Sequence, residues 1–325
     1  MAEVPEFSII IINYNTCENL KIQLPKLTGF KKVTSEILLV DNASTDDSIS
    51  FVKKNYPGIK IVYSKSNVGT AAMNLGLKAC RGKYVIYIGD MLFAESLLVR
   101  LKDVLDKDPS VFMAVPRIIN YFSKKSEFTG EIISRSMYSV AKTGKVYSKK
   151  PFEILGTGCG MFRRADIKLV GGIIYDPDYF LYGEDIDLGL RIRLAGKHAV
   201  LVPYAVIYHA HLPITAKSFT RFYLRFLTER NLLTTFVRTF RWYNVLLWSP
   251  YILFMRFVSV IKDIARLDFR SASARCWACL WILLHPFYVS KKRSFSQKIR
   301  KSDDSFVFTP FSEMGFFKAL VGMSR

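Results

Sequence analysis

Between residues 7 and 116 the chain alternates short, continuous apolar runs with longer amphipathic stretches, and this alternation constrains the fold most. "FSIIIIN", "EILLVDN", "KIVYS", "KYVIYI" and "VFMAVPRI" are apolar at successive positions, so each reads as a strand covered on both faces. Helical patterns separate them: a stretch carrying Leu20, Leu24 and Leu27, then "DDSISFVKKNY" with acids in its first turn, "TAAMNLGLKACRG" ended by glycine, and "AESLLVRLKDVLDKD". Strands joined in this way predict an α/β fold with a mostly parallel sheet flanked by helices. In such sheets ligands lie beyond the carboxyl ends of the strands. Three polar clusters fall there: Asn13–Asn15, Asp41–Ser44 and Gly89–Asp90. One alone would read as a turn. Three on one sheet point to a ligand site.

The alternation stops after residue 116. Residues 117–155 fill with Ser, Lys and Tyr and suggest a loop or a hairpin around Thr143–Gly144. "GTGCG" at 156–160 lacks the lysine of a phosphate loop and the full dinucleotide fingerprint, so its glycines read as close backbone packing near a substrate. Then follows "YDPDYFLYGEDIDLGLRIRLAGK", the densest acidic stretch of a basic chain. Its apolar residues from Ile186 to Leu194 alternate as a strand would.

Charge is uneven. The net charge is +20, and from residue 213 onward 19 Lys and Arg stand against six Asp and Glu. The same segment is rich in aromatic and aliphatic residues. Its basic residues flank long apolar runs and do not interleave with aromatics, which argues against nucleic acid and for an anionic membrane surface. The uncharged runs are shorter than the roughly 20 residues a spanning helix needs. Residues 242–261 would cross only by tolerating Pro250 and Arg256, so an interfacial helix with a basic rim is expected. The division expected is 1–212 and 213–325. The five cysteines, including the CxxC pair Cys276 and Cys279, form neither a disulfide framework nor a zinc site and read as buried thiols. The start "MAEVPEFS" has no secretory pattern, so the chain is expected to begin in the cytoplasm.

"SIIIINYN", "LLVDNASTDDS", "SNVGTAAMNLGLKACRGKYVIYIGD" and "YFLYGEDIDLGLRIRLAGKHAVLVPYAVIYHAH" occur in this order. Together they resemble the inverting family 2 glycosyltransferases of GT-A (Rossmann-like) fold, especially the rhamnosyltransferase-like branch, over roughly residues 6–212. The resemblance implies a nucleoside-diphosphate sugar as donor. It implies that Asn13 and Tyr14 line the nucleotide pocket, that Asp41 hydrogen-bonds the base, and that Asn67 and Gly69 shape the wall near ribose and diphosphate.

The family's fourth strand ends in a DxD or NxD motif for a divalent cation, Mn²⁺ or Mg²⁺. In "YIGDML" an ungapped alignment sets Gly89 and Met91 on the acid positions. A one-residue deletion makes Asp90 the second acid, and this is the preferred alignment. His209 in "VIYHAH" stands where the family often has a metal-binding histidine, and imidazole suits Mn²⁺ better than Mg²⁺. By resemblance Glu184 and Asp185 precede a helix, which here would bury both faces, and Asp185 is the catalytic base, with Glu184 orienting it or contacting the acceptor; Asp187 and Arg191 form a structural pair. The expected protein is a cytoplasmic, membrane-peripheral transferase acting on a hydroxyl of a lipid-linked glycan acceptor. The alternative is a non-catalytic partner subunit with a degraded DxD motif.

Overall fold

The protein was analysed as a computed structural model that describes residues 4–128, 131–141, 148–156, 158–210 and 219–308. The first half follows the alternation: β1 (Phe7–Asn13), α1 (Cys17–Thr28), β2 (Ser35–Asp41), α2 (Ser48–Asn55), β3 (Lys60–Tyr63), α3 (Met73–Ala79), β4 (Tyr84–Ile88) and α4 (Ser96–Lys107), with a two-residue strand β5 (Met91–Leu92) before α4. Next come β6 (Val111–Asn120), β7 (Ser126–Phe128), β8 (Glu131–Ile133), β9 (Ser139–Ala141), β10 (Phe152–Ile154) and β11 (Gly160–Arg163). Then follow α5 (Glu184–Leu194), β12 (His198–His209), α6 (Arg221–Thr239), α7 (Trp242–Ala265), α8 (Phe269–Leu284), α9 (Pro286–Lys298) and α10 (Asp304–Phe308).

Across the main sheet the strand order is β10-β12-β6-β11-β4-β1-β2-β3. β4, β1, β2 and β3 are mutually parallel, as the continuous apolar runs require. Beyond β4 the sheet is mixed. β11 runs antiparallel between β4 and β6 and so separates two strands that the alternation alone would make neighbours. The close backbone approach expected at "GTGCG" is real, but its partner is a strand: a Cβ on Gly160 would stand 2.8 Å from the Met113 side chain. Thr143–Gly144 lies outside the described residues, and the hairpin that is described joins β8 to β9 through the turn at Ser134–Tyr138.

Both faces of the sheet are covered. Phe7, Ile9 and Ile11 pack with Leu20 and Leu24 of α1 and Leu97 and Leu101 of α4, while Ile10 faces Met73 and Leu77 of α3 with Leu188 and Ile192 of α5. The opposite side of α5, Ile186, Leu190 and Leu194, packs on Leu232, Leu233 and Phe236 of α6. This resolves the ambiguous alternation: the segment is a helix buried on two opposed faces. Asp187 and Arg191 form the expected pair, 2.8 Å apart and both buried.

The expected boundary at 212 falls among residues 211–218, outside the description. α6 joins the core of the first part directly, so the helices after it are built onto the sheet through shared packing. α7 is a single helix of 24 residues, about 36 Å long at 1.5 Å per residue. By length and composition it could cross a membrane, yet only one of its faces is buried. Arg256 lies on that inner face, paired with Glu229 of α6 at 3.2 Å and donating to the carbonyls of Ser136 and Met137. Glu229 also pairs with Arg275 of α8, which reaches Asp263 at 2.7 Å. The outer face carries Leu246, Leu247, Leu253, Phe254, Phe257, Ile261 and Ile264, all exposed. Cys276 departs from the expectation of burial because it belongs to the outward side of α8; Cys80 and Cys159 are buried.

Candidate active site

The carboxyl ends of β1, β2 and β4 bring the three polar clusters together. Asn13 is fully buried, and its carboxamide donates to Asp41 Oδ1 (3.1 Å), Ser44 Oγ (2.9 Å) and Ser48 Oγ (2.8 Å). It ties the end of β1 to the loop after β2 and forms a floor. Asp41 is also buried and accepts the amide of Ser44 at 3.3 Å. Beside this floor lies a cavity of about 200 Å³. Tyr14, Asn67, Gly69 and Asp90 line it together with Asn42, Thr70, Phe180 and Leu181. Four of the residues expected at a nucleotide-sugar site thus share one cavity, while Asn13 and Asp41 are buried, bonded to each other, and not part of its lining.

The wall is held tightly. Asn42 donates to Asn67 Oδ1 (2.9 Å) and to the Gly69 carbonyl (3.1 Å), and it accepts the amide of Val68. Gly69 has φ +63°, and a Cβ there would stand 2.0 Å from the Phe180 carbonyl oxygen. Glycine is required on both counts. The same carbonyl accepts the Thr70 amide at 2.9 Å, so the loop before α5 closes against the loop after β3.

Asp90 sits between β4 and β5. The side chain of Met91 is packed in the core and Gly89 has none, so Asp90 supplies the carboxylate of this segment. Gln23 of α1 fixes the turn by donating to the carbonyls of Gly89 (2.9 Å) and Met91 (2.7 Å). Because Met91 pairs with His209 across the β5–β12 ladder, His209 Nε2 comes within 2.9 Å of Asp90 Oδ1. His209 Nδ1 lies 3.3 Å from Glu127. Burial disfavours the charged imidazolium, but the hydrogen bond and charge of Asp90, with Glu127 behind, outweigh it and raise the His209 pKa.

This donor set suits a borderline cation in part. Asp90 and His209 offer one carboxylate and one imidazole, and no group of three or more metal-ligating side chains occurs among the described residues. A divalent cation there would draw the rest of its shell from diphosphate oxygens and water, as Mg²⁺ and Mn²⁺ commonly do.

Glu184 and Asp185 open α5, where the helix N-terminus favours carboxylates. The Tyr175 hydroxyl donates to Asp185 Oδ1 at 2.7 Å and fixes the plane of that carboxylate. Burial, then the charge of Asp185, holds the Tyr175 phenol far above its usual range, so it remains a donor. Phe180 (φ +54°), Tyr182 (φ +63°) and Gly183 (φ +83°) are left-handed, with Leu181 between the first two outside that region, and they link the cavity wall to the acids. Tyr175 and Gln23 escaped the sequence reading, whereas Asn42 belongs to the strand-end cluster Asp41–Ser44. Tyr175 gave a usable signal, an aromatic hydroxyl beside an acidic cluster. Gln23 gave none.

The Glycosyl transferase family 2 profile matches residues 8–170, and that of Glycosyl transferase family group 2 matches residues 96–291. An N-acetylglucosaminyl-diphospho-decaprenol L-rhamnosyltransferase of Mycobacterium tuberculosis is 24% identical over 233 residues, covering 62% of this chain and 75% of that protein. Among solved structures, GalNAc-T7 with UDP, GalNAc and Mn²⁺ superposes with TM-score 0.60 and 17% identity over 89% of this chain, which spans 57% of the GalNAc-T7 chain. The Pyrobaculum calidifontis mannosyltransferase PcManGT, in complex with GDP-Man and Mn²⁺, gives TM-score 0.51 and 17% identity, covering 92% of this chain and 86% of that one. Both share the GT-A-like arrangement of a mixed sheet flanked by helices. The family 2 profile spans half of the chain and the fold agrees with it, so the chain belongs to glycosyl transferase family 2.

Proposed function

We propose that this glycosyltransferase moves one hexose or deoxyhexose from a nucleoside-diphosphate donor to a hydroxyl of a lipid-linked glycan, with inversion in a single displacement. The observation that carries the reading is Asp185, oriented by Tyr175 at the start of α5, a short strained loop away from a cavity lined by Tyr14, Asn67, Gly69 and Asp90. The acceptor oxygen attacks the anomeric carbon opposite the diphosphate, the carbon–diphosphate bond breaks, and Asp185 receives the hydroxyl proton. Tyr175 donates to that carboxylate and aims it, and the first turn of α5 is a favourable place for an acid. Asp90 and His209 are the residues that would hold a divalent cation. Such a cation, when bound, neutralises charge on the departing diphosphate.

Titration calorimetry with UDP, dTDP and GDP tests the donor site. We expect one of them to bind with Mn²⁺, at least tenfold more weakly without it, and to lose the metal dependence in Asp90→Ala. Failure of all three to bind would favour the non-catalytic alternative.

The acceptor class rests on the helices after β12. Leu246, Leu253, Phe257, Ile261 and Ile264 recur on the outer face of α7 at helical spacing, and Leu283, Leu284 and Phe287 extend the apolar surface over α8 and α9. Arg266, Arg270 and Lys291 are exposed around it. We place the protein peripherally on the cytoplasmic face of an anionic membrane, with α7 in the plane, because spanning would pull the Arg256–Glu229 pair apart. Replacing Leu247, Phe254 and Phe257 with Ser removes three half-inserted side chains, about 3 kcal/mol in all. Cosedimentation with anionic vesicles should then weaken about 100-fold. Unchanged cosedimentation would sink this assignment.

A further inference from the structure

α6 carries a polar stripe that its membrane-facing neighbours do not explain. Asn231, Thr235 and Arg238 stand at i, i+4 and i+7, one line along the helix, and all three are fully buried. Each engages the segment that leads from the sheet into α5. The Asn231 carboxamide donates to the carbonyls of Tyr179 (2.9 Å), Leu181 (3.1 Å) and Tyr182 (2.6 Å). Arg230 donates to Asn231 Oδ1 at 2.7 Å, which fixes the amide orientation. Thr235 Oγ1 lies 2.7 Å from the Tyr179 hydroxyl. Arg238 pairs with Asp176 at 2.7 Å and with Asp187 of α5 at 3.0 Å.

The segment so held includes the left-handed Phe180, Tyr182 and Gly183, conformations that side-chain-bearing residues keep only when their surroundings enforce them. It is clamped from the other side by Gly69 and Thr70 at the donor cavity. Phe180 and Leu181 face that cavity, and Asp185 follows four residues later. Glu229, on the opposite side of α6, ties the helix to α7 and α8 through Arg256 and Arg275.

We propose that Asn231, supported by Thr235, is the positioning residue of the active-site segment 179–185, setting the donor wall and the direction of Asp185 together. The inference rests on the reading of Asp185 as base. In it the C-terminal helices are part of the catalytic apparatus as well as a docking surface. α6 is the shared member: one side holds the segment that carries the acids, and the other holds the helices that meet the lipid.

The test uses full-length Asn231→Ala, Thr235→Val and Thr235→Ser, with folding checked by circular dichroism and assays run well below each melting temperature. Asn231→Ala should raise donor KM about tenfold and lower kcat about 100-fold, the scale expected for displacing a reacting group by about 1 Å. Thr235→Val should shift both in the same direction by a few-fold, and Thr235→Ser should restore them. Lower melting temperatures with unchanged KM and kcat per folded molecule would overturn the proposal. If Asn231→Ala does not fold, the Val and Ser pair decides. Full activity in Asp185→Asn would instead remove the base assignment, while the donor KM of Asn231→Ala would still report on the wall.

Discussion

Asp185→Asn should lower the transfer rate about 10³-fold while leaving the affinity for the donor nucleotide within about threefold. Asparagine matches aspartate in shape, and its oxygen can still accept from the Tyr175 hydroxyl, so the local geometry survives. The side chain also keeps its place in the first turn of α5. What is lost is the ability to take a proton from the acceptor hydroxyl. The cavity residues Tyr14, Asn67 and Asp90 are untouched, so calorimetric binding should persist. Steady-state transfer and nucleotide titration on the same preparation give both numbers. Retained transfer would mean that another group accepts the proton. Lost binding would mean that Asp185 belongs to the donor pocket.

The second large effect is on stability. Arg238→Met should destabilise the protein by about 3 kcal/mol, read by urea unfolding at neutral pH. Arg238 is fully buried between Asp176 and Asp187, and the substitution keeps most of its apolar length. Both acids lose a cation in a place water does not reach. The cost stays at the low end for broken buried pairs because Asp176 keeps Lys292 at 2.5 Å and Asp187 keeps Arg191 at 2.8 Å.

This stabilisation should depend on pH with a definite sign. Burial by itself would raise the Asp176 carboxyl, but Arg238 and Lys292 outweigh it and hold it below the ordinary aspartate value. A depressed folded-state pKa gives stability that is complete above the unfolded value and lost as pH falls through the folded one. The gap between wild type and Arg238→Met should therefore be full near neutrality and shrink below roughly pH 4. A gap that held constant into acid would show that packing, and no charge pairing, sets the cost.

Much of the N-terminal half could be read directly from residue order. Strands covered on both faces give continuous apolar runs, and β1, β2 and β4 each show one. β11 was hidden because it is four residues long, starts with a glycine and sits where chain order gives no hint of its neighbours. α5 was ambiguous for the opposite reason: burial on two faces erases helical periodicity. The cavity residues Tyr14, Asn67, Gly69 and Asp90 were recognisable because each stands at or near a strand end inside a familiar motif. Asn231 was not. A buried polar residue in a helix looks like part of a solvated face until the backbone carbonyls it serves, 49 to 52 residues earlier, are brought beside it.

The inward-facing Arg256 also sets what it would cost α7 to leave the folded protein for a bilayer. By length and composition α7 could cross a bilayer, and one arginine near its middle raises the cost of that route by about 2.5–3.5 kcal/mol. In the folded protein the same guanidinium is paired with Glu229 of α6, 3.2 Å away. A neutral substitute such as Leu would remove that cost and, with it, the Arg256–Glu229 pair that ties α7 to α6.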